Sequence, residues 1–486
     1  MTLGMFFIAA VAAQAAPPQV VSVHTNTSDI RELLWDGQVL WAATGGGLEA
    51  WSADGRRLGH ATLELPSTDV VGVDEGLVVT TAEAGVVAWD GDAFVAAEPA
   101  LPVWRGRTVE VAGDRLLLGG ESLDFECPIL DVAIGEDLRV ACLFTSFVYD
   151  GQAVTEVGLA ATAAHAEAWG LRGGGVITAE GRIGAVPGSV TSLEKVGEAW
   201  FVGTEDGLFR MAEDLERLTP EGQICGNFVT GAARFRGELV VTTFQDGACR
   251  FDGERWHPIE GLPSRLVNDV VVHGEDAWMA TSHGLARWDG ARVEVVTAGA
   301  VSRGEAGLHH NAVTAVASGE RLWMSDLLGP VSVEDGWWRR HRYSVFGTSY
   351  QAVTACGAEA WVASEDAGVS HWNGRRWSHH DGSGGLPDDW VMAVACSEQG
   401  AWAGTYRDGV WSWDGRRWTR VETPDGWILS LAAADEGLYV GTLGGLFLVG
   451  EDVVALDVPD PRVHQLSLSE GELFVGTEGG LVTYSR

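Results

Sequence analysis

The stretch DAWMATSHGLARWDG (276–290) decides the fold, because the chain repeats it with variation as EAWVASEDAGVSHWNG (359–374) and QGAWAGTYRDGVWSWDG (399–415). The shared pattern is an aromatic residue, a small residue and Thr or Ser, a short polar turn, glycine, an apolar residue, then an aromatic residue before Asp-Gly or Asn-Gly. Turn glycines recur at Gly47, Gly85, Gly207, Gly247, Gly284, Gly329, Gly368, Gly409, Gly445 and Gly480, and from Gly207 the intervals are 40, 37, 45, 39, 41, 36 and 35 residues. Inside the unit 263–299, VNDVVV, DAWMATS, GLARWDG and RVEVVT are four short apolar-rich runs separated by turn residues. That alternation is of strand type, and no helical period competes with it. Four antiparallel strands in about 40 residues are the pattern of a β-propeller blade.

Asp-Gly or Asn-Gly closes the third run at Asp90, Asp150, Asp252, Asp289, Asp335, Asn373 and Asp414. These pairs suit a two-residue type I′ hairpin, with positive φ at both central positions. The units number 12 or 13, with the segment around 100–190 degenerate. The expectation is an all-β chain of two tandem propellers of four-stranded blades. About six blades fall in 16–222 and about seven in 223–486. One large closed ring is the alternative. The last unit, 464–486, runs out after three strands, and the strand-like VVSVHT (20–25) at the other end could supply the fourth. Of 22 tryptophans, fourteen fall in three repeat slots, such as Trp323, Trp372 and Trp418, and are expected to pack between blades.

Leu3 to Ala13 is an apolar run followed by the small-residue pattern Ala13-Gln14-Ala15, which reads as a signal peptide over 1–15 although no Lys or Arg precedes it. The run is too short to cross a bilayer, so the expected location is periplasmic or secreted, without stable membrane insertion. Six cysteines suit an oxidising compartment; Cys127/Cys142 and Cys225/Cys249 could clip single units, and Cys356/Cys396 neighbouring ones. With 32 basic and 68 acidic residues the net charge is −36, which argues against nucleic acid and anionic membranes as partners.

GLPSRLVNDVVVHGEDAWMATSHGLARWDG (261–290) and GGLPDDWVMAVACSEQGAWAGTYRDGVWSWDG (384–415) resemble the propeller repeat of two-component regulator sensors, whose unit runs Gly-Leu-Pro, a strand, an aspartate-rich turn, Leu-Trp-x-Gly-Thr, Gly-Leu and an aromatic-Asp. LYVGTLGGL (438–446) and LFVGTEGGL (473–481) match its centre. The resemblance implies a periplasmic part that detects glycans or other extracellular ligands. No kinase part accompanies it in this sequence, so any signalling or secretion role calls for a separate partner.

Function on such a scaffold concentrates in loops on one face. Aligning the approach to each first strand puts Asp69, Asn227, Leu266, Asn311, Gln351, Trp390, Trp427 and Val463 in one column, expected to ring an axial mouth. His309, His310, Tyr350, Asp388 and Asp389 lie beside it, and the second-to-third turns add Tyr406, Arg407 and Asp408. Carboxylates, amides and indole rings together suit a sugar or a protein partner. The reading is a non-catalytic binding module with no cofactor. Adjacent histidines on extended chain point opposite ways, which argues against metal at His309-His310 or His379-His380. The rival reading is a lyase or glycoside hydrolase of extracellular polysaccharide, with Asp388, Asp389 and Asp408 as paired carboxylates.

Overall fold

A computed structural model describes residues 18–58, 67–73, 76–81, 85–89, 94–97, 101–298, 307–342, 344–424 and 426–486. The segment read as a signal peptide and the Asp90-Gly91 turn lie outside the described residues. Among those described, the protein consists of thirteen antiparallel sheets, twelve of four strands and one of three. None of the described helices is long and apolar enough to cross a membrane.

Chain order and sheet order agree except at one place. The strand Gln19–His24 leaves its neighbours in sequence and pairs antiparallel with Leu481–Ser485, becoming the outer strand of the sheet formed by the chain's last three strands. The first and last described strands thereby share a single sheet, and the free edge of Leu481–Ser485 is covered.

Each sheet is built by the repeat chemistry that the sequence displays. At the end of the second strand a threonine hydroxyl donates to the carbonyl of the turn glycine in Thr44–Gly47, Thr204–Gly207, Thr243–Gly247, Thr281–Gly284, Thr405–Gly409, Thr442–Gly445 and Thr477–Gly480, at 2.7–3.0 Å. The Asp-Gly corners need a correction. In Asp150, Asp252, Asp289, Asn373 and Asp414 the loop spans four residues, and the side-chain oxygen accepts the backbone N–H groups two and three residues on. Only the glycine then needs positive φ (Gly290, 93°), because the Asx side chain closes the turn. Those two N–H groups hold the carboxyls of Asp150, Asp252, Asp289 and Asp414 below the usual carboxylate range. Asp335-Gly336 alone among the described pairs has positive φ at both positions, 49° and 80°, as a type I′ turn demands.

Twelve of the thirteen sheets carry a register shift at the start of the first strand, leaving one residue outside the ladder. Such a bulge re-aims a side chain, and here it often bridges to the next sheet. Thr162 donates to Val190 O (2.6 Å), Thr191 to Ile30 O (2.5 Å), Thr230 to Val267 O (2.6 Å) and Asn268 to Val313 O (2.7 Å). The exception is Arg107–Ala112, in the degenerate segment, whose sheet packs on its successor through Trp104, Val109, Leu116, Leu138 and Val140.

First strands pack beside one another in two sets. Val229–Phe235, Val267–His273, Val313–Ser318, Tyr350–Cys356, Val391–Ser397, Ile428–Ala434 and Val463–Ser469 follow in order, and the last touches the first again. In the N-terminal half Ser67–Val73, Ile30–Trp35, Val190–Val196, Ala161–His165 and Ile129–Ile134 are successive neighbours. The connectors between the halves are clasped: Asn26 N donates to Asn227 Oδ1 (2.6 Å), Asn227 Nδ2 to Asn26 O (2.7 Å) and Thr27 N to Gln223 Oε1 (2.9 Å). Disulfides join Cys225–Cys249 and Cys356–Cys396, the second bridging neighbouring sheets, whereas Cys127 and Cys142 are buried free thiols.

The repeat tryptophans fill the gaps between sheets. Trp41, Trp51, Trp200, Trp256, Trp288, Trp323, Trp361, Trp372 and Trp418 are buried, and Trp278, Trp377, Trp402 and Trp413 are half-buried. Two histidines are buried among them. His341 stacks on Trp323 (5.2 Å), accepts from Trp377 Nε1 at Nδ1 (3.2 Å) and therefore donates from Nε2 to Ser332 Oγ (2.9 Å). His380 lies edge-on to Trp413 at 4.5 Å. Burial pushes both down to about 4. An unfolded histidine near 6.5 binds protons that these two refuse, so their contribution is complete above pH 6.5 and is lost as pH falls toward 4. The loss expected at pH 5 is about 2 kcal/mol per histidine. Urea unfolding at pH 7.5 and pH 5 checks this, and His341→Gln with His380→Gln should flatten the difference.

Candidate functional site

The loops ahead of the first strands and the second-to-third turns of the seven-sheet set share one face, and its most ordered feature is a stack of three rings. Trp390 and Trp427 directly precede neighbouring first strands, and Tyr406 lies in the turn between Gly400–Thr405 and Val410–Trp413. The Tyr406 ring sits 4.2 Å from Trp390 at 16° and 5.1 Å from Trp427 at 24°. Backbone bonds put it there: Tyr406 N donates to Trp390 O (3.0 Å) and Gly409 N to Gly426 O (3.1 Å), so the turn is held by both flanking loops. Trp390 Nε1 reaches Met392 Sδ at 3.1 Å, while Trp427 is 44% exposed. Arg407 is exposed with its guanidinium carbon 6.0 Å from the Tyr406 ring centre, and Asp408 is exposed beside it.

The other expected residues serve the loops first. Asp388 Oδ1 accepts from Trp390 N (3.0 Å), leaving Oδ2 buried without a partner. Asp389 Oδ1 accepts from Gly382 N (2.8 Å), and its carbonyl accepts from Gly368 N (2.7 Å). In the loop two sheets away, His309 N and His310 N both donate to the buried Asp326 Oδ2, at 2.7 and 2.9 Å. Burial holds the His309 imidazole below its usual range, and its Nε2 has no hydrogen-bond partner. The exposed His310 accepts from Ala312 N through Nδ1 (3.0 Å), and Asn311 Oδ1 accepts from Ala298 N (2.6 Å). Gln351 Nε2 donates to Glu365 Oε1 at 2.6 Å. Tyr350 is a correction: it is 1% exposed, packs among Ala315, Trp323 and Val353, and donates to Gly347 O. Burial pushes its hydroxyl up to about 12. It is core, not rim. Among the described residues no group of histidines, cysteines and carboxylates is arranged to hold a metal ion.

The aligned column also needs correction. Measured from the first paired residue of each strand, Asn227 and Asn311 lie two positions ahead, Leu266, Trp390 and Trp427 one ahead, Val463 on it, Gln351 one after and Asp69 two after. The column present in the structure is the bulge residue: Thr230, Asn268, Thr314, Gln351, Met392, Leu429 and His464. All seven line a cavity of about 700 Å³ enclosed by the seven first strands. Its mouth is apolar on one arc, at Met392 and Leu429, and polar on another, where His464 Nε2 meets Glu478 at 2.9 Å. Phe228, absent from the sequence reading, lines both this cavity and a cleft of about 810 Å³ beside the clasped connectors. A sequence signal existed for the bulge, the recurring valine that opens the strand.

No protein-family model matches this chain, and neither does any curated protein. Among solved structures it is similar to PorZ, described as an essential bacterial surface component of the type-IX secretion system of the human oral-microbiomic Porphyromonas gingivalis. The TM-score is 0.61 at 14% identity, over 96% of this chain and 86% of that one. The extracellular domain of a putative one-component system from B. thetaiotaomicron aligns with TM-score 0.45 and 16% identity, over 94% and 69%. Virginiamycin B lyase from Staphylococcus aureus aligns with TM-score 0.44 and 10% identity, over 54% of this chain and 95% of that one. The chain is thus a repeating all-β protein with the overall fold of PorZ.

The stack gives a test of how the face is built. No hydrogen bond engages the Tyr406 hydroxyl among the described residues, so its side chain contributes to the stack through the ring and not through the hydroxyl. Tyr406→Phe should stay within about 0.5 kcal/mol of the parent, whereas Tyr406→Ala, losing two aromatic contacts, should cost about 2 kcal/mol. Urea unfolding measures both; an equal loss in the two variants would assign the stack to the hydroxyl instead.

Proposed function

We propose that the thirteen sheets are blades of two β-propellers, about six in 16–222 and seven in 223–486, with Gln19–His24 reaching across to close the second. On this reading the chain is an exported, non-catalytic module that recognises a glycan or a protein partner on the face bearing Trp390, Tyr406 and Trp427. The cyclic packing of seven first strands supports the propeller. Export is supported by the signal-like residues 1–15 and by two disulfides, which persist in oxidising compartments. The description of PorZ as a bacterial surface component accords with it.

The observation that carries the binding role is the exposed Trp427 at the end of a pre-stacked column, with Arg407, Asp408 and Asp389 exposed on the same face. A rigid ring platform costs little entropy to use, and polar groups around it can meet hydroxyls. That combination favours a glycan. A secretion or signalling partner would be a separate chain.

A glycan array followed by calorimetry on the mature protein tests this. The expected result is one glycan class bound, with Trp427→Ala weakening it at least tenfold at an unchanged melting temperature. A blank array, or unaltered affinity in Trp427→Ala, would remove the glycan reading from this face.

A further inference from the structure

The cavity enclosed by the seven first strands has a chemical asymmetry that the aromatic face does not explain. Two positions beyond the opening residue of each strand stand Gly231, Asp269, Ala315, Ala352, Ala393, Ser430 and Gln465. Five of these are small and let neighbouring sheets approach closely. The two functional groups meet across Gly231, with Gln465 Nε2 3.4 Å from Asp269 Oδ1.

Asp269 also has a structural task. Its Oδ1 accepts from Val270 N (2.8 Å) and its Oδ2 from Val316 N in the next sheet (3.0 Å). Asp131 does the same in the N-terminal half, holding Val132 N and Ala164 N, both at 2.7 Å. The bridge is therefore a device of the fold. Asp269 in addition lines the cavity. Arg234, which also lines the cavity, is paired with Glu472 at 2.7 Å, and His464 with Glu478. No cation is paired with Asp269 among the described residues, and burial pushes its carboxyl up to about 7. A protein of net charge −36 draws cations toward such a lumen.

We propose that this cavity is a binding site separate from the aromatic face, for a small polyhydroxylated amine such as an amino sugar, with Asp269 as the counter-charge and the Gln465 amide as the orienting group. The ammonium supplies the missing positive charge. Hydroxyl-bearing lining residues, among them Thr314, Thr354, Ser318 and Ser467, match a ligand rich in hydroxyls. The volume of about 700 Å³ lies within the range usual for small-molecule pockets.

Calorimetry at pH 7 with D-glucosamine, D-glucose and N-acetyl-D-glucosamine tests the charge requirement directly. Glucosamine should bind at least tenfold more tightly than either uncharged sugar, and Asp269→Asn should abolish that preference. Because Asp269 also holds Val316 N, Leu429→Trp provides a second variant that blocks the apolar side of the mouth and keeps the bridge. It should fold normally and lose glucosamine binding. Equal binding of glucosamine and glucose would overturn the proposal, as would wild-type glucosamine affinity in folded Leu429→Trp or Asp269→Asn.

Discussion

The interaction on which the rest of this structure depends is the bulge that opens the first strand of nearly every sheet. Strands of neighbouring sheets share no hydrogen-bond ladder, so side chains must hold sheet to sheet. The bulge frees one residue per sheet for that work. Thr162, Thr191, Thr230 and Asn268 reach the opening carbonyl of the next sheet, and Asp131 and Asp269 hold backbone N–H groups three residues beyond the opening residue. Behind this polar layer, indole rings such as Trp323 and Trp361 fill the widening gap. The polar bridges set spacing and angle, and apolar burial supplies the larger share of the stabilisation.

Where the bridge is not made, the freed residue turns to other uses. Gln351 reaches Glu365, His464 reaches Glu478, and Met392 meets the Trp390 indole. One structural position thereby yields both the joints between sheets and the lining of the cavity. The aromatic stack is a second consequence, since the turn bearing Tyr406 is clamped between two approach loops that each deliver a tryptophan.

Much of this architecture can be read from the residues. The Thr–Gly and Asp-Gly spacing marks strand ends because each pair makes a short-range hydrogen bond that local sequence alone determines. The spare strand at 20–25 and the incomplete last unit are equally visible, and the structure pairs them. Register at the approach loops is not visible. Those loops differ in length, so counting back from the turn glycines mixes residues from several positions and takes the buried Tyr350 for a rim residue. Trp390, Tyr406 and Trp427 are legible as candidates, but their stacking follows from two backbone hydrogen bonds between separate loops, Tyr406 to Trp390 and Gly409 to Gly426, which sequence spacing does not encode. The Asp269–Gln465 pair is invisible for the same reason: it spans 196 residues across a glycine.

The proposed second propeller takes its closing strand from Gln19–His24, which completes the last sheet of the seven-sheet set, so that pairing is the claim to test. Gln19 and Ser485 are directly paired in that closing ladder. Oxidation of a Gln19→Cys, Ser485→Cys double variant, read by non-reducing peptide mapping of the monomer, should give an intrachain disulfide between the two introduced thiols in most molecules. A monomer without that link, or links formed only between chains, would contradict the account.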